Sequence, residues 1–141
     1  MVFVAATTGI LGAVLFFAFF GYFNTGIQHE AKATSTETIP TGSFIVNMGI
    51  SPQTFANGLL PYGMIYEMTT TFNVPVKWII EPSKAKDGND FTHNSVAYRG
   101  GAFIIPSTHI TSAIAARINY WKTLGVQGNY SVSSMSLPVY S

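Results

Sequence analysis

The sequence contains no cysteine and few charged side chains. The lack of cysteine excludes a disulfide framework, a thiolate zinc site, a thiol nucleophile and a lipoprotein anchor. Charged residues are 9% of the total, against about 25% in an average soluble domain. With a net charge of +1 and no basic patch, the chain is predicted to have no nucleic-acid partner. Scarce charge predicts a surface of Ser, Thr, Asn and Tyr, which suits an extracellular module.

Charged residues are absent throughout Val2–Phe23, and this segment is the clearest indication of where the protein is located. An apolar run of about 20 residues matches the hydrocarbon thickness of a bilayer as a helix. Ala31 and Ala33 are the small residues that a signal peptidase requires before its cleavage site. Two interpretations of residues 1–33 stay open: a signal peptide cleaved after Ala33, or a retained signal anchor with residues 2–23 in the membrane. Both predict that the remainder is secreted or lies at the cell surface.

The pattern beyond this leader predicts a short linker and one exported domain. Residues 34–42 are polar and are predicted as the linker, and residues 43–141 as the domain. The predicted elements are strands at Ser43–Met48, Val74–Ile80 and Ala102–Pro106, helices at Thr54–Phe72 and Thr108–Leu124, a β-hairpin at Phe91–Tyr98, and a final strand and loop at Tyr130–Tyr140. Continuous apolar strands between helices favour an α/β fold: a small, mostly parallel sheet with flanking helices, of flavodoxin-like or amidotransferase-like type, with an inserted β-hairpin and preceded by the N-terminal apolar helix.

Both ends of the sequence favour a longer protein. No Lys or Arg precedes the apolar run, which exceeds the about 7–15 residues of an ordinary signal peptide. We therefore expect the true start to lie upstream of Met1. A doubly wound layer is usually larger than this domain, so we also expect residues beyond Ser141 to complete it.

The predicted sheet suggests where a binding site would lie. Ligands bind to open parallel sheets beyond the carboxyl ends of the strands. Six polar residues follow the predicted strands and are the binding candidates: Asn47, Ser51, Glu81, Lys84, Ser107 and His109. Three of them, Glu81, Ser107 and His109, could form a hydrolytic triad, but no Gly-x-Ser-x-Gly elbow surrounds any serine. We favour ordinary loop residues and helix caps over catalysis, with Ser107 or Thr108 capping the second helix.

Metal and cofactor chemistry is not predicted. Asp90, His93 and His109 could approach a metal, but zinc requires three or four ligands at defined spacing, and no such spacing is present. We expect no metal and no cofactor.

Four aromatic residues could stack on sugars or peptides: Trp78, Tyr98, Tyr120 and Trp121. Such side chains more often belong to the core or half-cover a sheet, and we favour that interpretation.

Several motifs together resemble a known kind of domain. They are NGLLPYGMIYE at 57–67, NVPVKWII at 73–80, KAKDG at 84–88 and GGAFIIP at 100–106. These motifs resemble a domain near the N-terminus of large secreted multidomain proteins of Bacteroidota-type bacteria, grouped with adhesins and gliding-associated surface proteins. The resemblance covers Gly42–Tyr140 and implies a secreted or cell-surface module at the start of a longer chain. It implies no activity and no site residues.

The sequence therefore predicts a non-catalytic exported module, either structural or recognising a protein or glycan. Its expected partners are other domains of a longer chain, surface proteins or glycans, and the membrane through residues 2–23 if these are retained. The alternative is a degenerate or incomplete hydrolase-like or amidotransferase-like domain with a pocket at the strand ends. The absence of cysteine does not support glutaminase chemistry.

Overall fold

The computed structural model describes residues 34–140, and its first strand begins at Thr34. The predicted leader, residues 1–33, lies outside the described residues, as does Ser141. The described residues all belong to one compact unit. No helix among them has the length and hydropathy needed to cross a bilayer.

The described residues form strands, helices and one 3₁₀ turn. In chain order they are β1 (Thr34–Ile39), β2 (Phe44–Val46), α1 (Phe55–Gly58), α2 (Leu60–Thr70), β3 (Lys77–Ile79), β4 (Phe91–His93), β5 (Val96–Tyr98), β6 (Ala102–Ile105), the 3₁₀ turn (Ser107–His109), α3 (Ser112–Thr123), β7 (Gly128–Tyr130) and β8 (Met135–Tyr140).

Six strands form one sheet in the order β1-β8-β3-β6-β2-β7, and every neighbouring pair is antiparallel. The prediction of a mostly parallel, flavodoxin-like or amidotransferase-like layer is therefore wrong. The two helical crossovers are interleaved: β2 and β3 run in the same direction with β6 between them, and β6 and β7 do so with β2 between them. This is the split βαβ arrangement of ferredoxin-like sheets, extended at one edge by β8 and β1.

Both faces of the sheet are covered, which explains the continuous apolar strands. Phe44 and Val46 face a core that includes residues of α2 and α3. Ile45, between them, faces a second core shared with β8 and with the hairpin of β4 and β5. The hairpin predicted at Phe91–Tyr98 is confirmed. Strands buried on both faces are apolar whichever way their neighbours run, so the pattern indicated burial and not direction.

The predicted helices are present with altered boundaries. Helix Thr54–Phe72 is divided at Leu59 into α1 and α2. Helix Thr108–Leu124 is represented by α3, which begins at Ser112. Its N-cap is Thr111, whose Oγ1 accepts a hydrogen bond at 3.3 Å from the backbone N–H three residues later. That cap satisfies a donor that the first helical turn leaves unpaired, so the predicted caps, three and four residues earlier, are wrong.

The segment predicted as a linker contains β1. This edge strand pairs with β8 along its whole length, from Thr34 opposite Tyr140 to Ile39 opposite Met135. Ile39 is buried in the second core, whereas Ser35, Thr36 and Thr38 are exposed. A polar sequence is compatible with an edge strand because one edge and part of one face meet solvent. The linker prediction is therefore wrong for the residues of β1.

Candidate functional site

The antiparallel sheet separates the six predicted site residues. β2 and β3 both run antiparallel to β6, so both end where β6 begins. Four of the six residues follow these strands and lie at that end: Asn47, Ser51, Glu81 and Lys84. Ser107 and His109 follow β6 and lie at the opposite end, where β2 begins. The single site expected at the strand ends is therefore two separate places.

Ser107 and His109 have local roles in the 3₁₀ turn. The Ser107 N–H donates to Oγ of buried Ser43 at 3.0 Å. His109 Nδ1 lies 3.0 Å from Oγ1 of Thr108, and its side chain lines a cavity of about 360 Å³. The Ser107–Ser43 hydrogen bond holds the turn against the start of β2.

Glu81 does not join Ser107 or His109. Its Oε1 accepts hydrogen bonds from the Ser83 hydroxyl at 2.6 Å and the Ser83 N–H at 3.1 Å, and these bonds hold the pKa of Glu81 below its usual value. Within residues 34–140, no hydrogen bond connects any two of the three. The possible hydrolytic triad is therefore not formed.

The residues considered as metal ligands are each engaged in a contact with another residue. Asp90 is bound to Lys84, and His93 Nε2 accepts the Val132 N–H at 3.0 Å. No group of three or more potential ligands lies together in the part of the chain that the structure describes.

Asp90 organises the loop beyond β3 and the start of β6. Its side chain is fully buried. Oδ1 accepts from Lys84 Nζ at 2.6 Å and from the Glu81 N–H at 3.0 Å, and Oδ2 accepts from the Gly101 N–H at 2.9 Å. Buried charges require such pairing. Asp90 thus ties the 81–90 loop to the start of β6.

A cleft of about 390 Å³ opens between the loops that follow β2 and β3 and the segment that precedes β6. We call it the end cleft. Two of the predicted site residues, Ser51 and Lys84, line it together with Arg99 and Asp87. Asn47 supports its wall, because its Oδ1 accepts the Gly49 N–H at 3.0 Å. Arg99 and Asp87 are not among the candidates predicted from the sequence. The glycines that follow them, Gly100 and Gly88, indicate turns and are the signal that could have pointed to these positions.

Four rings form a continuous series across the helix-covered face of the sheet, and we call it the aromatic row: Tyr62, Phe103, Trp78 and Tyr140. The ring centroids of Tyr62 and Phe103 are 5.9 Å apart, those of Phe103 and Trp78 are 5.7 Å apart and stacked, and those of Trp78 and Tyr140 are 5.1 Å apart. The cross-strand register places Trp78 directly opposite both Phe103 and Tyr140. Such pairing fixes ring positions on one sheet face.

The aromatic row is partly open to solvent. Tyr62 is 52% exposed, Trp78 38% and Tyr140 37%. The Trp78 indole N–H donates to the Gly101 carbonyl at 3.2 Å. Gly101 has a φ of +78°, and a Cβ there would lie 2.6 Å from the indole nitrogen, so only glycine fits against this ring. The indole is therefore held in one orientation.

Hydroxyl groups border the aromatic row on the side of β1 and β8. Thr36 and Thr38 pair with Pro138 and Ser136, on the face opposite the second core. Thr36, Thr38 and Ser136 are exposed, and among the described residues none of their hydroxyls has a hydrogen-bond partner. The aromatic row is therefore a partly exposed series of packed rings, and the neighbouring strands β1 and β8 carry these hydroxyls on the same face.

The other three aromatic candidates have structural positions. Tyr98 is buried and stacks on Phe91 at 4.8 Å. Tyr120 lies under the Arg117 guanidinium. The Trp121 indole donates to a carboxylate oxygen of Glu67 at 2.6 Å. The preference for core or cover roles fits Tyr98 and Trp121 and does not describe Trp78.

Comparison with protein-family models, with curated proteins and with solved structures gives no match for this chain. The resemblance to N-terminal domains of secreted surface proteins therefore stays a prediction, and function is argued from the residues themselves.

Proposed function

We propose that this chain is a non-catalytic, exported recognition module whose aromatic row binds a neutral glycan. The observation that carries the proposal is the row of Tyr62, Phe103, Trp78 and Tyr140, which is partly open to solvent on the helix-covered face of the sheet. Aromatic rings present large apolar faces at low entropic cost. The C–H faces of sugar rings pack on such surfaces, while sugar hydroxyls need hydrogen-bond partners at the edge.

The surroundings of the aromatic row favour a neutral sugar over a charged ligand. On this face β1 and β8 carry Pro138 and the hydroxyl-bearing residues Thr36, Thr38 and Ser136, and none of these side chains is charged. Charged residues are only 9% of the sequence. A fixed indole lowers the ordering cost of binding. We further propose, from the leader and the resemblance, that the module is secreted or at the cell surface, at the N-terminal end of a larger protein.

The direct test is affinity electrophoresis of the chain in gels containing neutral β-glucans, β-mannans or β-xylans. We expect at least one polysaccharide to retard the protein. Trp78→Ala and Tyr62→Ala should each weaken binding about tenfold or more, which corresponds to about 1.4 kcal/mol. Tyr62→Ala removes a half-exposed ring with one ring contact, so it tests the row with little effect on folding.

Tyr120→Ala is the matched control. Tyr120 is 46% exposed, but it lies on α3 and its ring contacts are Trp121 and Arg117. Its removal should leave retardation unchanged. Absence of retardation by every polysaccharide, or equal weakening by all three variants, would contradict the proposal.

A further inference from the structure

The end cleft carries charged groups that the aromatic row does not use. We propose that it binds a sugar acid, that is, a small ligand carrying one carboxylate and several hydroxyls. This site is separate from the glycan surface proposed above and goes beyond that function. Its volume of about 390 Å³ lies within the range of about 300–1,000 Å³ that is usual for small-molecule sites.

Arg99 supplies an uncommitted cation. It lines the cleft and is exposed, and within residues 34–140 its guanidinium has no ion pair or hydrogen bond. A Cβ on Gly49 would overlap the Arg99 side chain at Cγ and lie 2.9 Å from its carbonyl oxygen. Gly49 therefore lets the stem of Arg99 lie against the backbone. A guanidinium positioned in this way binds a carboxylate through two parallel hydrogen bonds.

Lys84 supplies fixed hydrogen-bond donors, because its charge is paired with Asp90. Its ammonium is 2.6 Å from buried Asp90 and the side chain is 22% exposed. An ammonium has three donors, and Asp90 is its one hydrogen-bond partner among the described residues. Two donors therefore remain for a ligand. Because Asp90 holds the amine in place, little side-chain entropy is lost when a ligand binds.

Asp87 disfavours a simple anion and favours an anion that also carries hydroxyl groups. It lines the same cleft, is exposed and forms no ion pair in the described part of the chain. Its carboxylate repels an anion but accepts hydrogen bonds from hydroxyls. Gln53 and Ser51 also line the cleft and add neutral donors and acceptors. The combination selects for a carboxylate and hydroxyls on one molecule.

Calorimetric titration of the chain with three probes tests the ligand class: glucuronate, glucose and acetate. We expect glucuronate to bind at least tenfold more tightly than glucose or acetate. Amide signals of Gly49, Gly88 and Gly100, which line the cleft, should shift in NMR spectra during the same titration. Absence of saturable glucuronate binding, or acetate binding as tight as glucuronate, would overturn the proposal.

Variants separate specific recognition from general attraction. Arg99→Gln should weaken glucuronate binding at least tenfold. Lys86→Gln removes the same charge from a neighbouring exposed residue outside the cleft lining and should have no effect. Asp87→Asn should weaken glucuronate several-fold and leave acetate no weaker. Equal losses in Arg99→Gln and Lys86→Gln would refute the site.

Tyr62→Ala distinguishes this proposal from the previous one. It should weaken binding to neutral polysaccharides about tenfold or more and leave glucuronate binding intact, because Tyr62 does not line the end cleft. Failure of one activity in this way does not imply failure of the other.

Discussion

At the scale of residues, one carboxylate connects the two long helices. Glu67 of α2 accepts hydrogen bonds from Arg117 Nη2 at 2.7 Å, from Arg117 Nε at 3.2 Å and from the Trp121 indole at 2.6 Å. Partial burial acts to raise the pKa of Glu67. The hydrogen bonds from Trp121 and Arg117 and the charge of Arg117 outweigh that effect, so the net pKa lies below its ordinary value. The ionised form of Glu67 therefore stabilises the folded state.

Glu67→Gln should lower the free energy of unfolding at pH 7 by about 1 kcal/mol, because the charged, bidentate contact is lost while the pair is partly exposed. Glu37→Gln is the matched control: it breaks the similarly exposed but single contact with Lys77, at 2.8 Å, and should cost only about 0.3 kcal/mol. Urea denaturation of both variants measures the difference. Equal costs would show that Glu67 contributes no more than a surface ion pair.

The pH dependence of Glu67 has a defined sign. A carboxyl group with a lowered folded-state pKa contributes stability above its unfolded pKa, and that contribution is lost as the pH falls through the folded value. The stability difference between wild type and Glu67→Gln should therefore be constant near neutrality and shrink below the ordinary carboxyl value of 4.5. Urea denaturation at a series of pH values checks this. A difference that grows on acidification would contradict it.

At the scale of elements, the sequence predicted where helices, strands and the hairpin lie better than how they pair. β2 is apolar at every position because helices cover one face and the hairpin covers the other. Periodicity reports that burial, but strand order and direction depend on contacts distant in sequence, such as Phe44 with Ile105. The parallel sheet and the single site at its edge were both wrong predictions, because both assumed that neighbouring strands run in the same direction.

The candidate site was predictable only in part for the same reason. Ser51 and Lys84 meet in one cleft because β2 and β3 do run the same way, with β6 between them. Trp78 was recognised as a possible sugar-stacking residue, but its partners in the aromatic row depend on register. Phe103 is 25 residues away along the chain, and Tyr140 enters through another strand. No local pattern joins them.

The start of α3 gives an element-scale prediction. Thr111→Ala removes the cap of the first turn and should lower stability by about 1 kcal/mol. Thr108→Ala lies in the 3₁₀ turn outside the helix and should change stability by less than about 0.5 kcal/mol. Thermal or urea unfolding of the two variants distinguishes them. A larger cost at Thr108 would place the helix start at the earlier residue.

At the scale of the whole molecule, the proposed export signal directly precedes the first described strand in the sequence. β1 begins at Thr34, immediately after the predicted cleavage position at Ala33. Cleavage there would leave the edge strand complete. We expect mass spectrometry of the protein from cell fractions to find an N-terminal peptide beginning at Thr34 in the envelope or medium. A cytosolic protein with an intact leader would contradict export.

We propose the aromatic row as the glycan-binding surface, and the two tryptophans of the chain allow this to be measured directly. The Trp78 indole N–H belongs to the row and is bonded to Gly101, whereas that of Trp121 is bonded to Glu67. In NMR titrations of the ¹⁵N-labelled chain with neutral oligosaccharides, we expect the Trp78 indole signal to shift and saturate while the Trp121 signal stays fixed. Saturable binding that shifts Trp121 and leaves Trp78 unchanged, or no binding by any oligosaccharide, would contradict the proposal.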